Sequence, residues 1–174
     1  MSAAEGCVHV DRQEGICTLT MDRVPKRNAL TAAMYKQLAE SVAVAGDDPE
    51  IAVLRLRGAG EDFTAGHDLA DLAALAGGAA GHPVFAFLHG VVDCPKPLVA
   101  EVRGHALGVG TTLLLHCDAV VAASDATLGL PFVPLGLVPE FASTRLLPEL
   151  LGPQRAARLA LLGDQFPASE AAAM

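Results

Sequence analysis

Twice in this chain an apolar, strand-like run ends in a glycine-rich turn that leads into a helix-like run. The first is "IAVLRLRG" at residues 51–58, followed by "GAGEDFTAGHDL"; the second is "KPLVAEVRG" at residues 96–104, followed by "GHALGVGTT". A strand that turns through glycines into a helix is the repeating unit of layered α/β proteins, and it aims unpaired backbone N–H groups at one edge of the sheet. Few other architectures accept this pattern twice in one chain.

The flanking segments continue the alternation. Residues 6–10 and 15–21, "GCVHV" and "GICTLTM", read as a β-hairpin about "DRQEG". "TAAMYKQLAESVAVAG" reads as a helix with Thr31 as N-cap and Gly46 as its stop. A short helix is expected from Asp68, then a mobile small-residue loop "AGGAAGH", a helix at "PVFAFLHGVVDC", the strand "KPLVAEVRG", a helix at "GVGTTLLLHC" and a strand at "DAVVAAS". The last third, from "ASTRLLPELL" onward, reads as helical, punctuated by Gly152-Pro153 and Gly163. The βαβαβ order predicts an α/β layer with parallel pairs in a single domain over residues 1–174, with ligands near the carboxyl ends of the strands.

Composition narrows the classes. Hydrophobic residues are 52% of the 174 and charged residues 18%, which excludes disorder and calls for a large core or a broad subunit interface. With 12 basic against 20 acidic residues, a net charge of −8, no phosphate-neutralising cluster favours nucleic acid as a partner. The apolar runs "TTLLLHCDAVVAA" and "PVFAFLHGVV" are too short for a membrane span and read as core. The N-terminus lacks a signal-peptide pattern, so a cytoplasmic protein is expected. The four cysteines form no CxxC pair and the six histidines no HExxH spacing, so no metal and no disulfide framework are expected. A dinucleotide loop is disfavoured because "GVGTTL" lacks a third glycine, and a serine hydrolase because no GxSxG occurs.

What remains is two turns able to stabilise an oxyanion and one carboxylate, Glu140, alone in the apolar stretch "LGLPFVPLGLVPEFAS". That is equipment for removing a proton beside a carbonyl. A plainer reading makes Glu140 a first-turn acid of the helix "FASTRLLPELL".

The ordered segments "PKRNALT", "GAGEDFTAGHDL", "GHALGVGTTLLLHCDAVVAA" and "LGLPFVPLGLVPEFASTRLL" resemble the crotonase superfamily, the enoyl-CoA hydratase/isomerase family. The resemblance implies a ββα superhelix, acyl-CoA or enoyl-CoA thioesters as substrates with no further cofactor, and homotrimers or dimers of trimers. It also implies further helices beyond residue 174, so a C-terminal helical part is expected to be missing. Its oxyanion donors fall on the backbone N–H groups of His67 and Val109, where Val109 replaces a usual glycine. The two glutamates expected of hydratases fall on Thr112 and Phe132, neither of which transfers protons at neutral pH. Glu140 matches the single catalytic glutamate of the Δ3,Δ2-enoyl-CoA isomerase branch, with Phe132, Leu137, Val138 and Phe141 expected as water-excluding walls.

The resemblance also implies substrate contacts. Lys26 and Arg27, just before the first helix, are candidates for contact with CoA phosphates, with ordinary exposed basic residues as the plainer reading, and Asn28, Ala29 and Leu30 match the "NAL" stretch that meets the adenine side of CoA. Ala65, Leu69, Gly110, Pro131 and Phe132 fall on segments facing the thioester, as does Asp68, whose structural reading is a helix cap. His89, His105 and His116 are assigned no role. Other crotonase-type reactions, among them hydration, thioester hydrolysis and decarboxylation, remain as alternatives, together with a non-catalytic CoA-binding role.

Overall fold

The structure is a computed structural model and describes residues 6–75 and 81–174. Its chain opens with β1 (Cys7–Gln13) and β2 (Ile16–Asp22), an antiparallel pair turned by Gly15 at φ 77°. The first strand runs further than its alternation suggests. Asp11, Arg12 and Gln13 are exposed, yet each pairs with a residue of β2, so backbone bonding rather than burial extends the strand.

α1 (Ala32–Asp47) follows, with the Thr31 hydroxyl accepting from the Met34 N–H at 3.3 Å. Gly46 is not its stop. It lies within the last turn, buried where an added Cβ would stand 3.4 Å from Pro95, so its smallness serves packing. β3 (Val53–Gly58), α2 (Leu69–Leu75), α3 (Pro83–Val92), β4 (Leu98–Val102), β5 (His105–Leu107), α4 (Val109–Leu114) and β6 (Ala119–Ala122) come next. The loop expected at "AGGAAGH" falls largely on residues 76–80, outside the described residues.

One sheet has the order β1-β2-β3-β4-β6, and every pair after the first is parallel, as the alternation predicts. Cys17, Leu19, Met21, Leu54, Leu56, Leu98 and Ala100 are buried in it, with the Met34, Tyr35, Leu38 and Val42 face of α1 also in the core and α3, whose Val84, Phe87 and Val91 are buried, packed against α1. The expectation that "TTLLLHCDAVVAA" is core holds for Thr111–Leu113 and fails for β6. Val120 is 42% and Val121 63% exposed, because β6 is the outermost strand of the sheet.

The second sheet was not legible as strands. β5, β7 (Thr127–Gly129) and β8 (Gln165–Pro167) pair in the order β5-β7-β8, and β8 interrupts a terminal region expected to be wholly helical. The helices around it are α5 (Ser143–Leu151), α6 (Pro153–Leu162) and α7 (Ala168–Ala172), punctuated at Gly152 and Gly163 as expected.

Candidate active site

Three segments distant in sequence lie side by side. Leu30 bridges His67 and Thr64 bridges Ala106, both in parallel fashion, so residues 27–30, 64–68 and 105–108 form a narrow ladder. Buried Asn28 fastens it: its side chain accepts from the Arg23 N–H at 2.9 Å and donates to the Ala59 and Asp62 carbonyls at 2.8 and 2.7 Å. The Thr64 hydroxyl donates to the Asn28 carbonyl at 2.7 Å and accepts from the Gly66 N–H at 3.1 Å. The "NAL" segment thus holds the ladder together, a role its sequence did not announce.

Among the described residues, the ladder leaves two amides without a protein acceptor. Leu30 bonds the carbonyl of Gly66 and the N–H of Asp68, at 2.8 and 2.9 Å, and a parallel bridge of this kind turns the N–H of the intervening His67 away from it. Val109 opens α4, whose first intrahelical bonds are donated by Thr111 and Thr112 to the Gly108 carbonyl, so its own N–H is unpaired by helix geometry. Gly66 brings the two turns together. At φ 94°, it lies so close to the second turn that an added Cβ would stand 2.7 Å from the Leu107 carbonyl oxygen. The special backbone angle before α4 belongs to Gly108, at φ 55° and ψ −118°, and Val109 needs no glycine.

Glu140 reaches this ladder from the other end of the sequence. Its Oε2 lies 2.7 Å from His67 Nε2, and on the opposite side of the ring His67 Nδ1 lies 2.6 Å from the Tyr35 hydroxyl. The second carboxylate oxygen, Oε1, is buried and has no hydrogen-bond partner among the described residues. Helix α5 begins at Ser143 with Ala142 as its cap, so Glu140 stands outside its first turn, and only the Glu140 carbonyl serves the helix, accepting from the Ser143 N–H at 3.0 Å and hydroxyl at 2.5 Å. Phe141 and Ala142 both sit in the left-handed region, at φ 54° and 52°. Two consecutive residues of this kind cost about 1–2 kcal/mol each, a concentration of strain found at functional turns. Against it, His116 donates from Nε2 to the Phe141 carbonyl at 2.8 Å and stacks on the Phe141 ring at a centroid distance of 3.8 Å.

The four residues expected as water-excluding walls differ in exposure. Phe132 and Phe141 are buried and Leu137 is half-buried, whereas Val138 is 80% exposed and walls nothing among the described residues. Thr112 is fully buried and donates within its own helix to the Val109 carbonyl at 3.4 Å.

The remaining expected contact residues fall as follows. Lys26 and Arg27 are exposed, the Arg27 guanidinium lying 3.9 Å from Asp62. The Ala29 carbonyl accepts from Arg23 at 3.3 Å, the Ala65 N–H donates to Arg27 at 2.8 Å, Gly110 packs on Thr64, and Pro131 is half-buried. Leu69 is 64% exposed. Asp68 has both oxygens engaged: Oδ1 caps α2 through the Ala70 and Asp71 N–H groups at 2.9 and 3.3 Å, while Oδ2 accepts from Arg23 at 2.6 Å. That Arg23 bond, helped by the two amides, holds the Asp68 carboxyl below its ordinary range.

Tyr35 is the participant that sequence reasoning missed. The signal was present: it is the single tyrosine of the chain, on the apolar face of α1, and a buried hydroxyl requires a partner. An apolar cavity of about 270 Å³ lined by Leu114, Leu115, Val120, Leu147, Leu159 and Phe166 contains none of Tyr35, His67 or Glu140 and is separate from this chemistry.

Residues 11–174 match the family model described as enoyl-CoA hydratase/isomerase. This chain belongs to that family. A relative from Escherichia coli K12, named 1,2-epoxyphenylacetyl-CoA isomerase, is 40% identical over 94% of this chain and 64% of its own length. A crotonyl-CoA hydratase of Syntrophomonas wolfei is 35% identical over 93% of this chain and 64% of its own length. The solved structure of Pseudomonas aeruginosa OdaA superposes with a TM-score of 0.92 at 43% identity, covering 95% of this chain and 67% of that one. The chain spans 43–66% of the lengths of the curated relatives it matches. The fold is accordingly that of the crotonase superfamily. Among the described residues no helix is long and apolar enough to cross a membrane.

Proposed function

We propose that this protein processes acyl-CoA thioesters and moves an enoyl-CoA double bond from the 3,4 to the 2,3 position. The observation that carries the reading is Glu140 Oε1, a buried carboxylate oxygen with no partner among the described residues, on a base held against the residue that also presents an oxyanion amide. Thr112 and Phe132 stand where the resemblance puts a hydratase's two acids. The relatives' names include both isomerases and hydratases, so their names alone do not choose.

The reaction asks for one base. Glu140 takes a proton from C2, and the electrons of the broken C–H bond delocalise into a dienolate whose oxygen accepts from the His67 and Val109 N–H groups. The same carboxyl then returns the proton to C4, the 2,3 double bond forms, and the carboxylate is regenerated without water or a second acid. Hydration would need one group to activate water and another to protonate carbon. On this reading the thioester lies over the 66–67 and 108–109 turns, with Lys26 and Arg27 at the exposed end for CoA phosphates, and the assembly is a trimer or a dimer of trimers in the cytoplasm.

The test is turnover of a 3-enoyl-CoA, followed by ultraviolet absorption of the conjugated 2-enoyl thioester, beside hydration of a 2-enoyl-CoA. Conversion without hydration supports isomerisation; efficient hydration, or hydrolysis to free CoA, would move the assignment to another reaction of the family.

A further inference from the structure

We propose that Tyr35 is a positioning residue that acts through the His67 side chain, deciding which Glu140 oxygen carries the proton and holding that base in register with the oxyanion amide. The inference rests on the isomerase reading for its kinetic part and on the hydrogen-bond geometry for the rest.

Begin with the Tyr35 hydroxyl, 2.6 Å from His67 Nδ1. Burial, with repulsion from the Glu140 carboxylate added, holds this phenol far above its ordinary range, so it keeps its proton; because the carboxylate across the ring can only accept, the arrangement that satisfies both bonds of a neutral imidazole has Tyr35 donating to Nδ1. An Nδ1 that accepts leaves the ring proton of a neutral imidazole on Nε2. Nε2 lies 2.7 Å from Glu140 Oε2 and donates to it. The chain of bonds runs Tyr35 O–H to Nδ1, then Nε2–H to Oε2, and it ends with Oε1 unbonded and buried. Oε2 is therefore occupied, and Oε1 is the oxygen available to a C–H bond.

His67 serves twice. Its backbone N–H is one oxyanion donor and its imidazole holds the base, so one residue sets the distance between the two halves of the chemistry. In the opposite tautomer Nε2 would present a lone pair to the carboxylate, the bond would become a repulsion, and Glu140 would turn away. Only Tyr35 among the described residues meets Nδ1, and its ring is fixed by packing 5.8 Å from Phe87 and 5.3 Å from the imidazole. No proton of Tyr35 or His67 leaves its atom during the reaction.

The experiment combines a tautomer measurement with a double-mutant cycle. Tyr35→Phe keeps the buried ring and removes only the hydroxyl. Imidazole ¹⁵N NMR of the unliganded protein is expected to show His67 protonated on Nε2, and a mixture of tautomers in Tyr35→Phe. In the assay, Tyr35→Phe is expected to lower kcat about tenfold at unchanged KM, the worth of one hydrogen bond. His67→Gln, which keeps an N–H donor within reach of the carboxylate, should retain more activity than His67→Ala. Adding Tyr35→Phe to His67→Gln should then cost nothing further, since its route to the base is gone.

A tyrosine that merely filled space would cost the same in both backgrounds and would leave the tautomer unchanged, and either result overturns the proposal. If the wild-type protein turns over no 3-enoyl-CoA, the isomerase reading fails. The NMR comparison still decides whether Tyr35 sets the imidazole, with an unchanged tautomer refuting it.

Discussion

The His67 imidazole stands 2.7 Å from the Glu140 carboxylate, joining residues 73 positions apart in the chain. The contact turns a turn residue and a loop acid into one unit, with the side chains only 11% and 23% exposed. A carboxylate so held has one oxygen engaged and one without a partner among the described residues, the arrangement on which the isomerase proposal rests.

Glu140→Gln keeps the shape and removes the proton-accepting oxygen pair. The expected result is a loss of 3-enoyl-CoA isomerisation of about a thousandfold, within the range for removal of a general base, with CoA-thioester binding and thermal stability close to wild type. A variant that retained full turnover would remove Glu140 from the mechanism.

Gly66→Ala addresses the turn that carries the His67 amide. The backbone is in the left-handed region and the added methyl meets the Leu107 carbonyl oxygen at 2.7 Å, so the turns must separate. A destabilisation of about 2–3 kcal/mol is expected, read by chemical denaturation, together with a fall in kcat larger than any change in KM.

Asp68 links the ladder to Arg23, the two side chains being 18% and 10% exposed. Because the folded carboxyl is held below its ordinary value of about 3.9, its ionisation contributes stability that is fully present above that unfolded value and disappears as pH falls through the lower folded one. Asp68→Asn should therefore be less stable than wild type by about 2 kcal/mol at pH 7, and the gap should close on acidification below pH ~4. Melting curves across pH 2–7 check this; a gap that persists unchanged at pH 2 would show that charge is not the cause.

Ala142→Gly tests the strain beside the base. Ala142 is exposed at φ 52°, so glycine relieves about 1–2 kcal/mol of backbone cost and gives back about half of it in unfolded-state entropy. A rise in Tm of a few degrees with a lower kcat is expected, since the turn that aims Glu140 becomes freer. Unchanged or increased kcat would mean that the strained turn plays no part in holding the base.

The alternation of strand-like and helix-like runs was readable because each run is long enough to show its own period, and the main sheet and α1, α3 and α4 follow it. β5, β7 and β8 were not, because strands of three residues carry no periodicity and exist only through pairing with one another. Glu140 was conspicuous as a lone acid in an apolar stretch, and the two glycine turns declared their unpaired amides through local geometry. The sequence by itself determined these backbone elements, the turns that free donors and the single acid. Tertiary structure alone decided that His67 meets Glu140, that Tyr35 meets His67 and that Asn28 ties the ladder. Each of those contacts is made between segments that no local propensity connects, and is selected only when the packed chain must give every buried polar group a partner.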